Sequence, residues 1–314
     1  MLIIIIPLLI VIEQRYFSRA TRELASKPNL IQSYRQYIVI SWSTLWDDGL
    51  ILPASVQILN LFETAYLTGL WLILPYQMQI QENNLIVWLW LSAAALLINV
   101  IGAIINTEYL NSEIALAGFF KNGLSQVSCF LPIILSVMIV VSFNHYENFT
   151  ELSLQQSGLW LGFIPRWNIF RSPFLFLTAT GYLANLIILM RINTGDFQPF
   201  EFQELSEIYS SQHKTFGNFM QFNRVWILFT LSALMVFLFL GGWQSPSGSE
   251  VHRLASFPDG IRFLGKSIIV FSIAMKIKHH LPLPSVRQIF NFNLKIQVPA
   301  LLLIWLSSLI GRWV

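Results

Sequence analysis

Long apolar runs separated by short polar segments recur from one end of this chain to the other. Runs near 50–76, 85–106, 122–143, 167–191, 222–243, 263–280 and 294–313 are each long enough to cross about 30 Å of hydrocarbon as helices. An eighth, Met1 to Ile12, is purely apolar but covers only about 18 Å at roughly 1.5 Å per residue. It crosses only if the helix continues through Glu13, Arg15 and Arg19, or if another chain completes the layer. Residues 30–48 mix Tyr, Trp and Ile with Arg35, Asp47 and Asp48, the pattern of an amphipathic helix lying along the interface. Residues 244–262, with Pro246, Ser247, Gly248 and Pro258, predict a turn-rich loop. The fold class expected is all-α: a polytopic membrane protein of about eight transmembrane helices, the first one short, plus an interfacial helix.

No low-complexity tract or tandem repeat divides the chain, so residues 1–314 read as a single membrane domain. Within it, 1–49 hold the short first span and the amphipathic segment, and 50–191 hold spans two to five. A polar loop occupies 192–221, and 222–314 hold spans six to eight.

Composition supports a membrane solvent. Mean hydropathy is +0.60, and 55% of residues are hydrophobic against 11% charged. Met1–Ile12 lacks the charged leader and small-residue cleavage site of a secretory signal, and no Arg-rich transit segment precedes it. A protein translated inside an organelle or a bacterium is the better fit.

Lys and Arg set the orientation. Arg15, Arg19, Arg22, Lys27 and Arg35 lie between spans one and two, and Lys121 opens span four. Arg191 and Lys214 flank the polar loop, and Lys276, Lys278, Arg287 and Lys295 lie between spans seven and eight. All these connections fall on one side, while 77–84 and 144–158 on the other carry no Lys or Arg. Arg166, Arg171, Arg253, Arg262 and Lys266 are exceptions. The polar loop therefore faces the matrix or cytoplasm. This topology accounts for the net charge of +3 without a nucleic-acid partner.

Catalytic and cofactor signatures are sparse. One cysteine, Cys129, can form neither an internal disulfide nor a cysteine-ligated cluster, and it reads as a packing residue. Gly241-Gly242 closes a span and lacks the rest of a phosphate-cradling loop. His279 and His280 are adjacent, so they point in different directions on a helix and read as an interfacial cap rather than metal ligands. No metal site is expected. Ionisable groups inside the membrane are costly and mark partners or water. Glu63 is the clearest, read either as part of a proton path or as one half of a structural pair, with snorkelling to the interface as the alternative. Glu108 and Lys266 lie at span ends and read as interfacial.

The densest polar chemistry is the loop Pro199-Phe200-Glu201-Phe202-Gln203-Glu204-Leu205-Ser206-Glu207, with three carboxylates in seven positions. Clustered carboxylates raise one another's pKa, so such a surface responds to charge changes beside it. His213 follows in the same loop and can contact a bound headgroup, although a solvated loop histidine is the default.

Four strings resemble the membrane subunit 1 family of proton-pumping NADH:quinone oxidoreductase, respiratory complex I. Ser112-Glu113-Ile114-Ala115-Leu116-Ala117-Gly118, followed by Lys121 and Val127-Ser128, is similar to the family's S-K-Y-A-L-L-G-A-L-R…I-S. Pro199-Phe200-Glu201-Phe202-Gln203-Glu204 resembles P-F-D-L-x-E, and Glu207-Ile208-Tyr209-Ser210-Ser211 resembles E-L-V-S-G. Leu238-Phe239-Leu240-Gly241-Gly242-Trp243 resembles L-F-L-G-G-W, with Lys266, Leu281-Pro282, Gln288, Lys295 and Pro299 at family-like intervals. More weakly, Glu13, Lys27-Pro28-Asn29 and Asp48-Gly49 stand where the family has E-R-K, G-P-N and A-D-G.

Departures accompany the likeness. Phe130 and Leu228 stand where the family has glutamates, Thr194 to Phe197 replace E-T-N-R, and Leu283 to Ser285 lack its R-x-R. The resemblance thus implies a strongly diverged member, of the kind a protist mitochondrion encodes, in the mitochondrial inner membrane.

As the resemblance implies, the chain belongs to an oxidoreductase without binding a redox cofactor itself. FMN and iron–sulfur clusters sit on partner subunits of the hydrophilic arm, ubiquinone is the substrate, and other membrane-arm subunits and lipids are neighbours. Glu201, Glu204, Glu207, His213 and Phe200 would wall the quinone chamber and couple it to the membrane arm. Arg15, Arg19, Arg22, Lys27 and Asp48 would form the matrix-side junction, and Glu63, Glu108 and Glu113 a thinned intramembrane proton path. Two alternatives stand: a scaffold in the same complex with reduced proton conduction, or a small secondary transporter, for which no inverted repeat is evident.

Overall fold

The computed structural model describes residues 113–145, 148–160, 164–193, 214–244, 257–281 and 284–310, with scattered helical positions between 62 and 98. The first long helix, α1, runs Glu113–Asn144 and continues through Pro132. Proline has no N–H for the carbonyl of Ser128 one turn earlier, so that hydrogen bond of the ladder is missing. Ser136 Oγ donates back to the Pro132 carbonyl at 2.8 Å. A short helix α2 (Phe149–Gln155), a two-residue antiparallel hairpin of β1 (Leu159–Trp160) and β2 (Ile164–Pro165), and the single turn α3 (Asn168–Arg171) follow.

Helix α4 (Pro173–Asn193) starts where local chemistry dictates. Pro173 takes the first helical position, where its missing N–H costs nothing, and Ser172 Oγ accepts from Phe174 N at 3.3 Å as the cap. Helix α5 (Lys214–Phe239) ends in two left-handed residues, Gly241 at φ 75° and Gly242 at φ 54°. Helix α6 covers Phe257–His280, and α7 (Val286–Phe292) begins with a reciprocal Ser285–Gln288 capping box.

The chain then widens into a π-turn over Asn293–Gln297 before α8 (Val298–Ile310). Pro299 supplies the reason. It has no N–H for the carbonyl of Lys295, and its ring would collide with that carbonyl in an α-helix. The turn opens, and Val298 N–H reaches back five residues to Asn293 O.

The long helices alternate in direction. Asn144, α2, α3, the start of α4, the end of α5 and the start of α6 meet at one end, as the bonds of Gln156 and Asn168 to Phe237 and Leu238 carbonyls require. Trp305 of α8 returns to this end and donates to Ser142 Oγ at 3.0 Å. The chain therefore leaves α4 at Asn193 and re-enters α5 at Lys214 at the opposite end. Most of the core among the described residues comes from α1, α4, α5 and α6, joined by Phe149 and Leu152 of α2, and Phe237 packs 4.9 Å from Phe149, 4.4 Å from Phe263 and 5.3 Å from Trp243, ring centre to ring centre. Leu303 and Leu306 of α8 face outward.

Among the described residues, three helices are long and apolar enough to cross a membrane: Gly123–Asn144, Pro173–Ile192 and Val286–Leu309. Asn223–Phe239 forms a shorter apolar helix. Element ends correct the sequence expectation. The loop expected over 244–262 gives way to helix at Phe257, α5 begins eight residues ahead of its apolar run, and the last crossing begins at Val286 rather than 294. Hydropathy marks where hydrocarbon lies, while helices continue into the polar layers beyond it. Lys278, expected in a polar connection, is instead wholly buried in the last turn of α6.

Candidate functional site

Glu63 is buried at 4% exposure, and Asn223, wholly buried on α5, donates from Nδ2 to Glu63 Oε2 at 3.0 Å. Burial of a carboxyl group is costly without a polar partner, and the Asn223 amide supplies one. Asn223 itself is a residue that hydropathy passes over: it sits at the polar edge of an apolar run.

A second polar cluster lies where α1, α4 and the π-turn meet. Asn293 Nδ2 donates to Cys129 Sγ at 3.3 Å and to Ser128 Oγ at 3.5 Å, and Ser128 Oγ donates to the Ser125 carbonyl at 2.8 Å. One turn on, Gln297 Nε2 donates to the Gly181 carbonyl at 3.4 Å, and Asn185 Nδ2 donates to Gln297 Oε1. Asn185 and Asn293 are both fully buried. Cys129 does pack in the core as expected, and its sulfur also accepts from the amide of Asn293. None of these amides stands out in the sequence. The signal there is polar residues inside apolar runs, with a proline two positions past Gln297.

At the opposite end, Gly241-Gly242 turns α5 sharply. Gln156 Oε1 accepts from Gly241 N at 3.0 Å, and Ser153 Oγ donates to Gly241 O at 3.3 Å. Lys266 Nζ donates to the carbonyls of Leu240, Gly242 and Gln244 at 2.9, 3.0 and 3.1 Å, and lies 5.0 Å from the ring centre of Trp167. The end of a helix presents unpaired carbonyls with partial negative charge, which an ammonium satisfies. Lys266 is thus a cap on the α5 turn rather than a loose interfacial lysine.

Positions where acids were expected are apolar core. Leu228 is wholly buried and Phe130 is 6% exposed. Phe130 and Ser128 line a groove of about 310 Å³ whose other walls include Leu97, Leu131, Phe290 and Leu294. Glu113 begins α1. Glu201, Glu204, Glu207, His213 and Phe200 lie outside the described residues, as do Arg15, Arg19, Arg22, Lys27, Asp48 and Glu108. Glu63 is therefore the one proposed site residue whose surroundings are on view.

Comparison with known proteins assigns the family. Residues 54–309 match the family model described as NADH dehydrogenase. An NADH-quinone oxidoreductase subunit from Dehalococcoides mccartyi is 26% identical over 208 residues, 64% of this chain and 52% of that protein. The NADH-quinone oxidoreductase subunit of the same name from Phocaeicola vulgatus is 26% identical over 237 residues, 71% of this chain and 61% of that protein. The chain thus spans little more than half the length of these relatives. The family match covers most of the chain, and the chain belongs to the NADH dehydrogenase family, the subunit 1 family of respiratory complex I, as a diverged member.

Proposed function

We propose that this chain is the membrane subunit of a proton-pumping NADH:quinone oxidoreductase that forms much of the quinone-access tunnel and couples quinone reduction at the arm junction to the membrane arm. The observation that carries this is the family match from 54 to 309, which takes in the acidic loop. With a single cysteine, the chain supplies no cluster of its own, so FMN and iron–sulfur clusters belong to hydrophilic-arm partners. Ubiquinone is the substrate that its apolar and aromatic walls would accommodate.

In this reading Glu201, Glu204 and Glu207, with Phe200 and His213, wall the headgroup chamber. Arg15, Arg19, Arg22, Lys27 and Asp48 meet the hydrophilic arm, while Glu63, Glu108 and Glu113 are what remains of an acidic path. The chain crosses the membrane about eight times as one domain, in the mitochondrial inner membrane with the acidic loop on the matrix side. The Lys and Arg asymmetry supports that orientation. Reduction of a quinone to quinol takes up two protons beside the loop, and mutually coupled carboxylates respond to such a change.

A second reading, a scaffold with reduced proton conduction, is favoured by the buried apolar side chains of Phe130 and Leu228 where acids were expected. Purification in mild detergent tests the reading common to both: co-purification of cluster-bearing subunits is expected, and a stable monomer without them sinks it. Glu204→Gln separates the two. A lowered proton-to-electron ratio supports coupling through the loop, and an unchanged rate and ratio support the scaffold.

A further inference from the structure

A narrow groove runs along α1. Leu124, Leu131 and Ile134 form one wall, Phe290 and Leu294 of the terminal helix form a second, and Leu97 stands in a third. Leu97, Leu124, Leu131 and Leu294 are also exposed, so the groove opens outward rather than into the core. In hydrocarbon an exposed apolar face needs no partner, so shape and charge must select the occupant. Leu124 and Ile134 are about 15 Å apart along a helix that rises roughly 1.5 Å per residue. The volume of about 310 Å³ spread over that length gives a mean cross-section of about 20 Å². A helix with its side chains, about 10–12 Å across, fills about 80–110 Å². The groove therefore admits one extended alkyl chain and not a helix.

The mouth of the groove is basic. Arg287 stands three residues ahead of Phe290 and seven ahead of Leu294, which puts all three on one face of the helix. Its side chain is exposed and makes no hydrogen bond or ion pair with the described residues. On α1, Lys121 stands three residues ahead of Leu124. The sequence sets no carboxylate beside them in either helix: Asp and Glu are missing from Ile114 to Tyr146 and again after Asp259. Arginine pairs with a phosphate through a planar fork of donors. Both cations stand where α1 and α7 begin, the end at which the acidic loop attaches, and the Lys and Arg asymmetry assigns that end to the matrix or cytoplasmic leaflet.

We propose that this groove is a phospholipid site, in which one acyl chain lies between Leu131 and Leu294 and an anionic headgroup meets Arg287 at the mouth. A lipid in that leaflet presents its phosphate first and its hydrocarbon deeper, the same order in which the groove presents charge and apolar wall. The site rests on the placement of the chain in a membrane and not on the quinone reading, and it uses none of the acidic-loop residues.

The test uses the intact complex, purified in mild detergent, stripped of lipid by extended washing, and mixed with phosphatidylglycerol or phosphatidylcholine bearing brominated acyl chains. Electron cryomicroscopy and mass spectrometry of the retained lipid read the result. Phosphatidylglycerol should place chain density between Leu131 and Leu294 and headgroup density at the Arg287 guanidinium, and should be retained several-fold more than phosphatidylcholine. Arg287→Gln should remove that preference, and Arg287→Lys should keep most of it. Leu131→Trp should empty the groove of chain density, and if that variant does not assemble the two Arg287 variants still decide. A neighbouring subunit's side chains or a quinone tail in the groove would overturn the proposal, as would equal retention of the two lipids by the unaltered complex. None of these readouts requires quinone reductase activity, so a failure of the redox reading is distinguishable from a failure of the lipid site.

Discussion

Asn223 Nδ2 donates to Glu63 Oε2 at 3.0 Å between buried side chains, tying α5 to the helical position at Glu63. A carboxylate and a neutral amide share this bond, so its worth does not require an ion pair. Glu63→Gln keeps an acceptor in place and is expected to leave assembly intact. Asn223→Leu leaves a buried carboxyl oxygen without this donor and should cost about 1–3 kcal/mol, more if the acid is charged. Thermal melting of the purified complex measures the difference. A melting temperature unchanged by Asn223→Leu would show that Glu63 is held by other partners.

The turn at Gly241-Gly242 predicts a sharp asymmetry among glycines. A Cβ on Gly241 would sit 2.8 Å from Trp167 Cδ1, and one on Gly242 would sit 2.9 Å from Phe237 Cδ1. Both residues are also left-handed, which costs a residue with a Cβ about 1–2 kcal/mol before any clash. Overpacking adds roughly 1–3 kcal/mol. At Gly265, within α6, a Cβ meets nothing within 4 Å, so Gly265→Ala is expected to be neutral or to stabilise by about 0.4–1 kcal/mol. Melting temperatures of the three alanine variants check the ordering.

Much of this arrangement was legible in the sequence, and the failures have physical causes. Apolar runs marked α1, α4, α5 and the terminal helix because hydrocarbon selects for uninterrupted apolar side chains. They misplaced helix starts at Glu113, Lys214 and Phe257 because a helix in the headgroup layer can be polar. Glu63 was legible as costly, since a lone acid in an apolar run needs a partner. Its partner was not, because Asn223 lies 160 residues away and nothing local announces the contact. The π-turn was encoded by Pro299, but a proline reads equally as a kink, a break or a widened turn. Only the neighbouring helices decide, and here Asn293 and Gln297 find polar partners on α1 and α4.

Lys266 yields a further expectation. Its three carbonyl bonds are charge-assisted, each worth about 1.5–3 kcal/mol where fully formed, less for the fraction of the ammonium still solvated. Lys266→Met keeps the stem packed but strands the carbonyls of Leu240, Gly242 and Gln244. It should lower the melting temperature of the complex more than Lys276→Met on the exposed face of the same helix. Lys266→Arg should recover only part of the loss, because a planar fork cannot converge on three carbonyls as an ammonium does. Equal melting temperatures for Lys266→Met and Lys276→Met would contradict the capping role.

Leu228 offers the last test, because the family pattern places an acid there while the fold packs it in the core with no exposure. A carboxylate introduced by Leu228→Glu would be buried without a designed partner, at about 2.5–3.5 kcal/mol for a charged side chain at membrane depth. Phe130 differs, since it borders the groove that Ser128 also lines. Phe130→Glu can therefore turn its carboxyl toward a cavity and should assemble better than Leu228→Glu, measured as the yield of intact complex. Volume-conserving Leu228→Met serves as the control and should assemble normally. If Leu228→Glu assembles as well as Phe130→Glu, the core around α5 holds a polar partner for it. The loss of that acid would then be a change in chemistry alone, not one fixed by packing.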